Sequence, residues 1–204
     1  MTLLVLALLG AANAAEPVVP SAGASHQVPA EEGLLLRWDP ARSWGTSLLV
    51  DTLQSVARRL ALELPLADPL LIGDVSQRGG GTMFGHTTHH LGVDADIGLF
   101  FGDGQQPLGG FQDLDPSRLD VAANWALLRA LLDSNQVAYV LLDQGHIDRL
   151  RAYALDELGI DPEMVDGIFV PADTTLSWNT WGVVRHAPNH LSHMHVRIGG
   201  KPGT

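Results

Sequence analysis

The chain has 204 residues, of which 46% are hydrophobic and 17% charged, with a formal net charge of -11. That is the composition of one globular domain rather than of a disordered segment, and its acidity excludes the basic face that non-specific binding to nucleic acid or anionic lipid requires. Cysteine is absent, so there is no disulfide framework and no thiolate metal site, and any metal must be held by nitrogen and oxygen.

Residues 1–14 form an apolar run that ends in Ala12-Asn13-Ala14. The run is too short to span a bilayer. It fits the apolar region and small-residue cleavage site of a secretory signal peptide, although no Lys or Arg precedes it. No other segment is long and apolar enough to cross a membrane, so no stable membrane insertion is expected after cleavage. Residues 15–32 carry Pro17, Pro20 and Pro29 without periodicity and read as an extended linker. The globular domain is expected over residues 33–204.

Within that domain, Leu34-Leu35-Leu36 is a short apolar run closed by Asp39-Pro40. Thr46 or Ser47 caps a helix whose face is Leu49, Leu53, Val56 and Leu60. Pro69 to Ile72 reads as a buried strand, and Gln77-Arg78-Gly79-Gly80-Gly81 as a loop. Val93 to Phe101 reads as a central strand. Asp115-Pro116 signals the start of a second helix, with its face at Val121, Trp125, Leu128 and Leu132. A strand is expected over Val137 to Leu142. A third helix is expected over His146 to Leu158, with Ile147, Leu150, Ala154 and Leu158 inward and Gly159 ending it. Gly167 to Val170 reads as a short strand and His193 to Ile198 as the last one. Helices and strands mix without regular alternation, which predicts an α+β fold with a small, mainly antiparallel sheet flanked by helices.

The chemistry concentrates in two stretches, Gly85-His86-Thr87-Thr88-His89-His90-Leu91-Gly92-Val93-Asp94-Ala95-Asp96 and His190-Leu191-Ser192-His193-Met194-His195. Asp94 and Asp96 share one face of their strand, and His193 and His195 share one face of theirs, because strand side chains repeat every two residues. Gly92 permits the tight or positive-φ turn that brings His89 back over the strand. His89, Asp96 and His195 would then form a site of two imidazoles and one carboxylate. That leaves one tetrahedral position open, the arrangement of a catalytic rather than a structural zinc. The same donor types also serve non-haem iron, where the first His and the carboxylate stand closer in sequence than the spacing here. His86, His190 and His193 remain for proton transfer and charge stabilisation. Asp94 reads first as a carboxylate that orients a ligating histidine, with metal ligation or pairing to Arg78 as alternatives. Lone loop histidines are usually polar surface residues, and His26, His90 and His146 are read that way.

The stretch His89-x-x-Gly92-x-Asp94-x-Asp96 paired with His193-x-His195 resembles the zinc peptidases grouped with lysostaphin, the D-Ala-D-Ala carboxypeptidases and the hedgehog amino-terminal domain. Within that group it most resembles the penicillin-insensitive murein endopeptidases, through Ser76-Gln77-Arg78-Gly79-Gly80, His86-x-x-His89, Asn124-Trp125 and His190-x-x-His193-x-His195-Val196-Arg197. The resemblance runs from about Ser43 to Ile198. It implies zinc on His89, Asp96 and His195, with further active-site histidines at His86, His190 and His193. It also implies a metal cleft on an antiparallel sheet, and cleavage of the D-alanyl to meso-diaminopimelyl cross-link of peptidoglycan in the periplasm. Other expectations in reach are a D,D- or L,D-carboxypeptidase on stem peptides, or a wall-binding domain that keeps its metal without catalysis. Two departures stand out. Leu191 occupies a position where family members often carry an acidic residue, and the disulfides of well-known members are absent.

Overall fold

The structure, a computed structural model, describes residues 23–32, 35–64, 68–103, 110–172, 174 and 182–199. The expected signal peptide at 1–14 lies outside these residues. The end of the expected linker lies within them, packed against the domain. His26–Gln27 (β1) pairs antiparallel with Trp44–Gly45 (β3), and Ala24 and Val28 are fully buried.

The main sheet has six strands. They are Leu35–Arg37 (β2), Leu70–Ile72 (β4), Asp94–Gly98 (β5), Val137–Leu142 (β6), Val184–His186 (β7) and His193–Ile198 (β8). Their spatial order is β2-β4-β5-β8-β6-β7. The inner pairs β4/β5, β5/β8 and β8/β6 are antiparallel, and the edge pairs β2/β4 and β6/β7 are parallel. The fold is α+β, with the predicted antiparallel centre and two parallel margins.

Helix α1, Ser47–Glu63, starts where the sequence predicts. Thr46 is the cap, its hydroxyl accepting from the Leu49 amide at 3.2 Å, and Leu49, Leu53, Val56 and Leu60 are buried. Helix α2, Val121–Asp133, starts later than Asp115-Pro116 suggested. Asp115 caps only one tight turn, Pro116–Arg118, and Asp120 then caps the helix through the Ala123 amide. Helix α3, Gln144–Ala152, continues into a wide turn, Tyr153–Glu157. There the Leu158 amide reaches back five residues to the Tyr153 carbonyl. The extra residue rotates Leu158 off the inward stripe, leaving it 44% exposed, while Ile147, Leu150 and Ala154 are buried as expected. The first half of the strand expected at Gly167 to Val170 is the end of helix α4, Pro162–Ile168, which Asp161 caps. Only Phe169 bridges to Val184.

The apolar sides of α1, α2 and α3 meet Ala95, Ile97, Val140, Leu142, Met194, Val196 and Ile198 in one core. Alternation along β5 and β8 therefore commits the other face of this central pair to polar side chains. The buried Asn124 ties α2 to the end of β5. Its side-chain amide donates to the Phe100 carbonyl at 2.8 Å, and its oxygen accepts from the Phe100 amide at 3.1 Å.

Candidate metal centre

The β5/β8 register sets Asp94 opposite Arg197, Asp96 opposite His195 and Gly98 opposite His193. Directly opposed residues share a face. The two side-chain pairs read separately from the sequence, Asp94/Asp96 and His193/His195, therefore stand on the same surface, with Arg197 continuing the row.

His89 reaches this surface from the preceding loop. Gly92 makes the turn at φ 68°, and a Cβ there would lie 2.7 Å from the Ala24 Cβ and 3.0 Å from the Gly45 Cα. Glycine is thus required by both conformation and space. His89 is fully buried, and its Nδ1 stands 2.8 Å from the Val75 carbonyl oxygen. Nδ1 must donate there, which leaves Nε2 with a free lone pair.

Three donor atoms converge. Asp96 Oδ1 is 2.9 Å from His195 Nδ1 and 3.2 Å from His89 Nε2, and the two nitrogens are 3.2 Å apart. Ligand atoms about 2.1 Å from one tetrahedral zinc stand roughly 3.4 Å from each other. The donor types and their spacing thus fit such an ion with small outward movements. His86 also contributes, since ligand atoms of His86, His89 and Asp96 all lie within 4.8 Å of one another. Sequence reasoning placed His86 with the proton-transfer groups, and the structure offers it as a further donor.

Two of the imidazoles are backed by a carboxylate and an arginine. His195 Nε2 lies 3.1 Å from Asp94 Oδ1, and Arg197 grips the same carboxylate with two bonds of 2.8 and 2.7 Å. Asp94 thus supports a histidine, and its arginine is Arg197. The alternative partner Arg78 instead stacks on Trp44 at 5.1 Å. His86 Nε2 lies 2.7 Å from Asp74 Oδ2, which also takes Arg42 at 2.8 Å. Asp74 and Arg42 escaped the sequence reading, because a short loop carries no periodicity that aims a side chain. Arg197 did have a signal, two residues beyond His195 on the same strand face.

Charge follows from these contacts. Burial pulls the His195 pKa down, but its bonds to Asp94 and Asp96 outweigh that and lift it to about 9. Burial pushes Asp96 up, yet the bond from His195 and the neighbouring His89 ring hold it well below the usual carboxylate range. His193 has no such bond. Its Nε2 is 3.6 Å from Asp96 Oδ1, and burial, only partly opposed by Asp96, lowers it to about 4, so it is neutral at pH 7. His190 is also lowered, chiefly by burial. Its ring centroid is 5.0 Å from that of His193 and 6.0 Å from that of His195. The structure therefore brings His86, His89, Asp96, His190, His193 and His195 together.

The three histidines read as surface residues differ from one another. His26 is exposed and His90 half-buried, but His146 is fully buried. Its Nε2 bonds the Leu191 carbonyl at 2.9 Å, and the Leu114 amide bonds the same oxygen at 3.0 Å. His146 thus anchors the loop between His190 and His193 from helix α3, and Leu191 serves there through its backbone. Among the described residues no helix is long and apolar enough to cross a membrane.

Residues 19–204 match the family described as penicillin-insensitive murein endopeptidase. The chain is also 26% identical, over 183 residues, to the penicillin-insensitive murein endopeptidase of Haemophilus influenzae. That alignment covers 86% of this chain and 59% of the relative, so the chain spans rather more than half of the relative's length. The family match includes every residue of the histidine and carboxylate cluster just described, and this chain belongs to the penicillin-insensitive murein endopeptidase family.

Proposed function

We propose that this chain is a zinc-dependent murein endopeptidase that acts on the cell wall outside the cytoplasmic membrane, in the periplasm, and cuts the D-alanyl to meso-diaminopimelyl cross-link of peptidoglycan. The observation that carries this reading is the convergence of His89 Nε2, Asp96 Oδ1 and His195 Nδ1 within 2.9 to 3.2 Å, on the same surface as a neutral, half-buried His193. Family membership and the name of the Haemophilus influenzae relative support the substrate class. Residues 1–14 act as the export signal.

His89, Asp96 and His195 hold the metal, with His86 beside them as a further donor. Bound zinc supplies a Lewis acid and lowers the pKa of coordinated water toward about 7. Asp94 and Arg197 fix the orientation of His195. His193 takes the proton of the attacking water and delivers it to the departing diaminopimelyl amine as the D-alanyl C–N bond breaks. His190, one ring away, has its Nδ1 committed to the Pro188 carbonyl at 2.8 Å, so it stabilises the negative charge that develops on the carbonyl oxygen once its Nε2 is protonated.

The test is incubation of the purified chain with a cross-linked muropeptide dimer, followed by chromatography and mass analysis. Two monomers should appear, production should stop with a chelator and return with added zinc. An intact dimer that loses only a terminal D-alanine would make the protein a carboxypeptidase. An untouched dimer that still binds sacculi would make it a binding domain.

A further inference from the structure

We propose that Phe111 is a positioning residue, whose ring, seated on a floor of two glycines, fixes the plane of His193. The proposal rests on the endopeptidase reading only for its catalytic consequence.

The rings of Phe111 and His193 are stacked, with centroids 5.1 Å apart and planes 13° apart. Phe111 arrives from a loop outside the sheet, and the strands beneath it are cleared to receive it. A Cβ on Gly73 would lie 2.4 Å from Phe111 Cε2 and 2.5 Å from Cζ, and one on Gly98 would lie 3.1 Å from Cε1. Gly98 is the cross-strand partner of His193. The phenyl ring therefore occupies the side-chain space that Gly98 leaves empty, flush against the imidazole opposite.

A second ring braces the first. Trp38 meets Phe111 edge to face, with centroids 5.7 Å apart and an angle of 67°. Gly110 makes room for it, at φ +118° and with a hypothetical Cβ only 2.7 Å from Trp38 Cζ2. Neither ring belongs to the hydrophobic core, and Trp38 remains 50% exposed. Holding two large aromatics at the site instead of in the core is accounted for by the contact of Phe111 with His193, which Trp38 braces from behind.

Beside the His190 ring, which meets His193 at a 45° tilt rather than face to face, the polar contacts of His193 leave one freedom for Phe111 to remove. Ser192 Oγ lies 2.9 Å from Nδ1, and Asp96 Oδ1 lies 3.6 Å from Nε2. Both act near the ring's polar edge. Neither stops the ring from tilting about that edge, whereas a parallel aromatic face does. A misplacement of about 1 Å in a reacting group can cost roughly 10²-fold in rate.

The test uses Phe111→Ala, Gly73→Ala and the double variant in the zinc-loaded full chain, with Phe111→Leu in reserve should Phe111→Ala fail to fold. The first readout is the NMR position of the His193 ring protons, identified by their loss in His193→Gln. In the parent protein they should lie upfield under the Phe111 ring current. Phe111→Ala should abolish that shift. Gly73→Ala should reduce it by pushing the ring off its seat, and should change nothing further once Phe111 is alanine. The second readout is turnover, where Phe111→Ala should lower kcat by roughly 10²-fold and leave KM and zinc content unchanged. His193 protons at unshifted positions, or full kcat in Phe111→Ala, would overturn the proposal. So would an effect of Gly73→Ala that persists without the phenyl ring. A parent protein that cuts no muropeptide sinks the endopeptidase reading, while the NMR readout still decides whether Phe111 holds His193.

Discussion

The two faces of the β5/β8 ladder are made by the same ten or so residues and obey opposite rules. Facing the helices, Ala95, Ile97, Met194, Val196 and Ile198 are at most 2% exposed and make only apolar contacts. Facing the loops, Asp94, Asp96 and His195 are nearly as buried but polar, with His193 half-buried beside them, and each depends on a partner. Burial of the apolar face drives folding. Burial of the polar face costs free energy that only pairing offsets. One face therefore holds the ladder together, and the other is held by it, which is why a surface of buried polar groups can be built on a strand pair without the strand pair depending on it.

Breaking the polar face should produce the largest effect, and in rate. His193→Ala should lower kcat on a muropeptide dimer by about 10²–10⁴-fold while zinc content stays full. Near-parental turnover would remove His193 from the proton route, and loss of zinc would make it a ligand.

Breaking the apolar face should act on stability instead. Met194→Ala and Ile97→Ala each remove a fully buried side chain, and each should cost about 2–5 kcal/mol in denaturant melts. At low temperature the folded fraction should still bind zinc stoichiometrically. Equal loss of zinc affinity and of stability would show that the two faces are not separable.

The supports behind the histidines sharpen the comparison. Asp94→Asn keeps the shape but weakens the hold on His195 Nε2. Zinc affinity, measured by chelator competition, should fall about 10–100-fold. Asp74→Asn should weaken affinity as well if His86 is a ligand, and should leave it alone if His86 is not.

How far the two faces were legible in the sequence differs for the same reason. The apolar face repeats with a period of two, and α1 with a period near four, so Ile97, Leu53 and their neighbours announce themselves. On the polar face His89, Asp96, His193 and His195 were visible because histidines and carboxylates recur at strand spacing. What joined them was not visible. The register that sets Asp96 against His195 is a pairing across 99 residues. Asp74, Arg42 and Phe111 come from loops, where no period says which way a side chain points. His146 looked like a surface residue because its partner, the Leu191 carbonyl, is a backbone atom far along the chain. Leu158 followed the helical period and was misplaced by one wide turn.

A dependence on pH also follows, and it runs in opposite directions for the metal-free protein and for zinc binding. In the metal-free protein His195 is protonated up to about 9, against 6.5 for an ordinary histidine. Its pairing with Asp94 and Asp96 thus stabilises the fold fully below pH 6.5 and fades as pH rises through 9. Zinc must displace that proton. Its affinity should therefore climb over the same window, by up to about tenfold per pH unit. Melting temperature of chelator-treated protein and zinc affinity, each measured from pH 6 to 9.5, should cross. Parallel trends would contradict the charge assigned to His195.

The most direct measurement is a crystal structure of the zinc-loaded protein, with anomalous data collected at the zinc edge. The predicted result is one zinc peak about 2.0–2.2 Å from His89 Nε2, Asp96 Oδ1 and His195 Nδ1. A peak held by His86, His89 and Asp96 with His195 still bonded to both carboxylates, or no peak on this surface, would contradict the account.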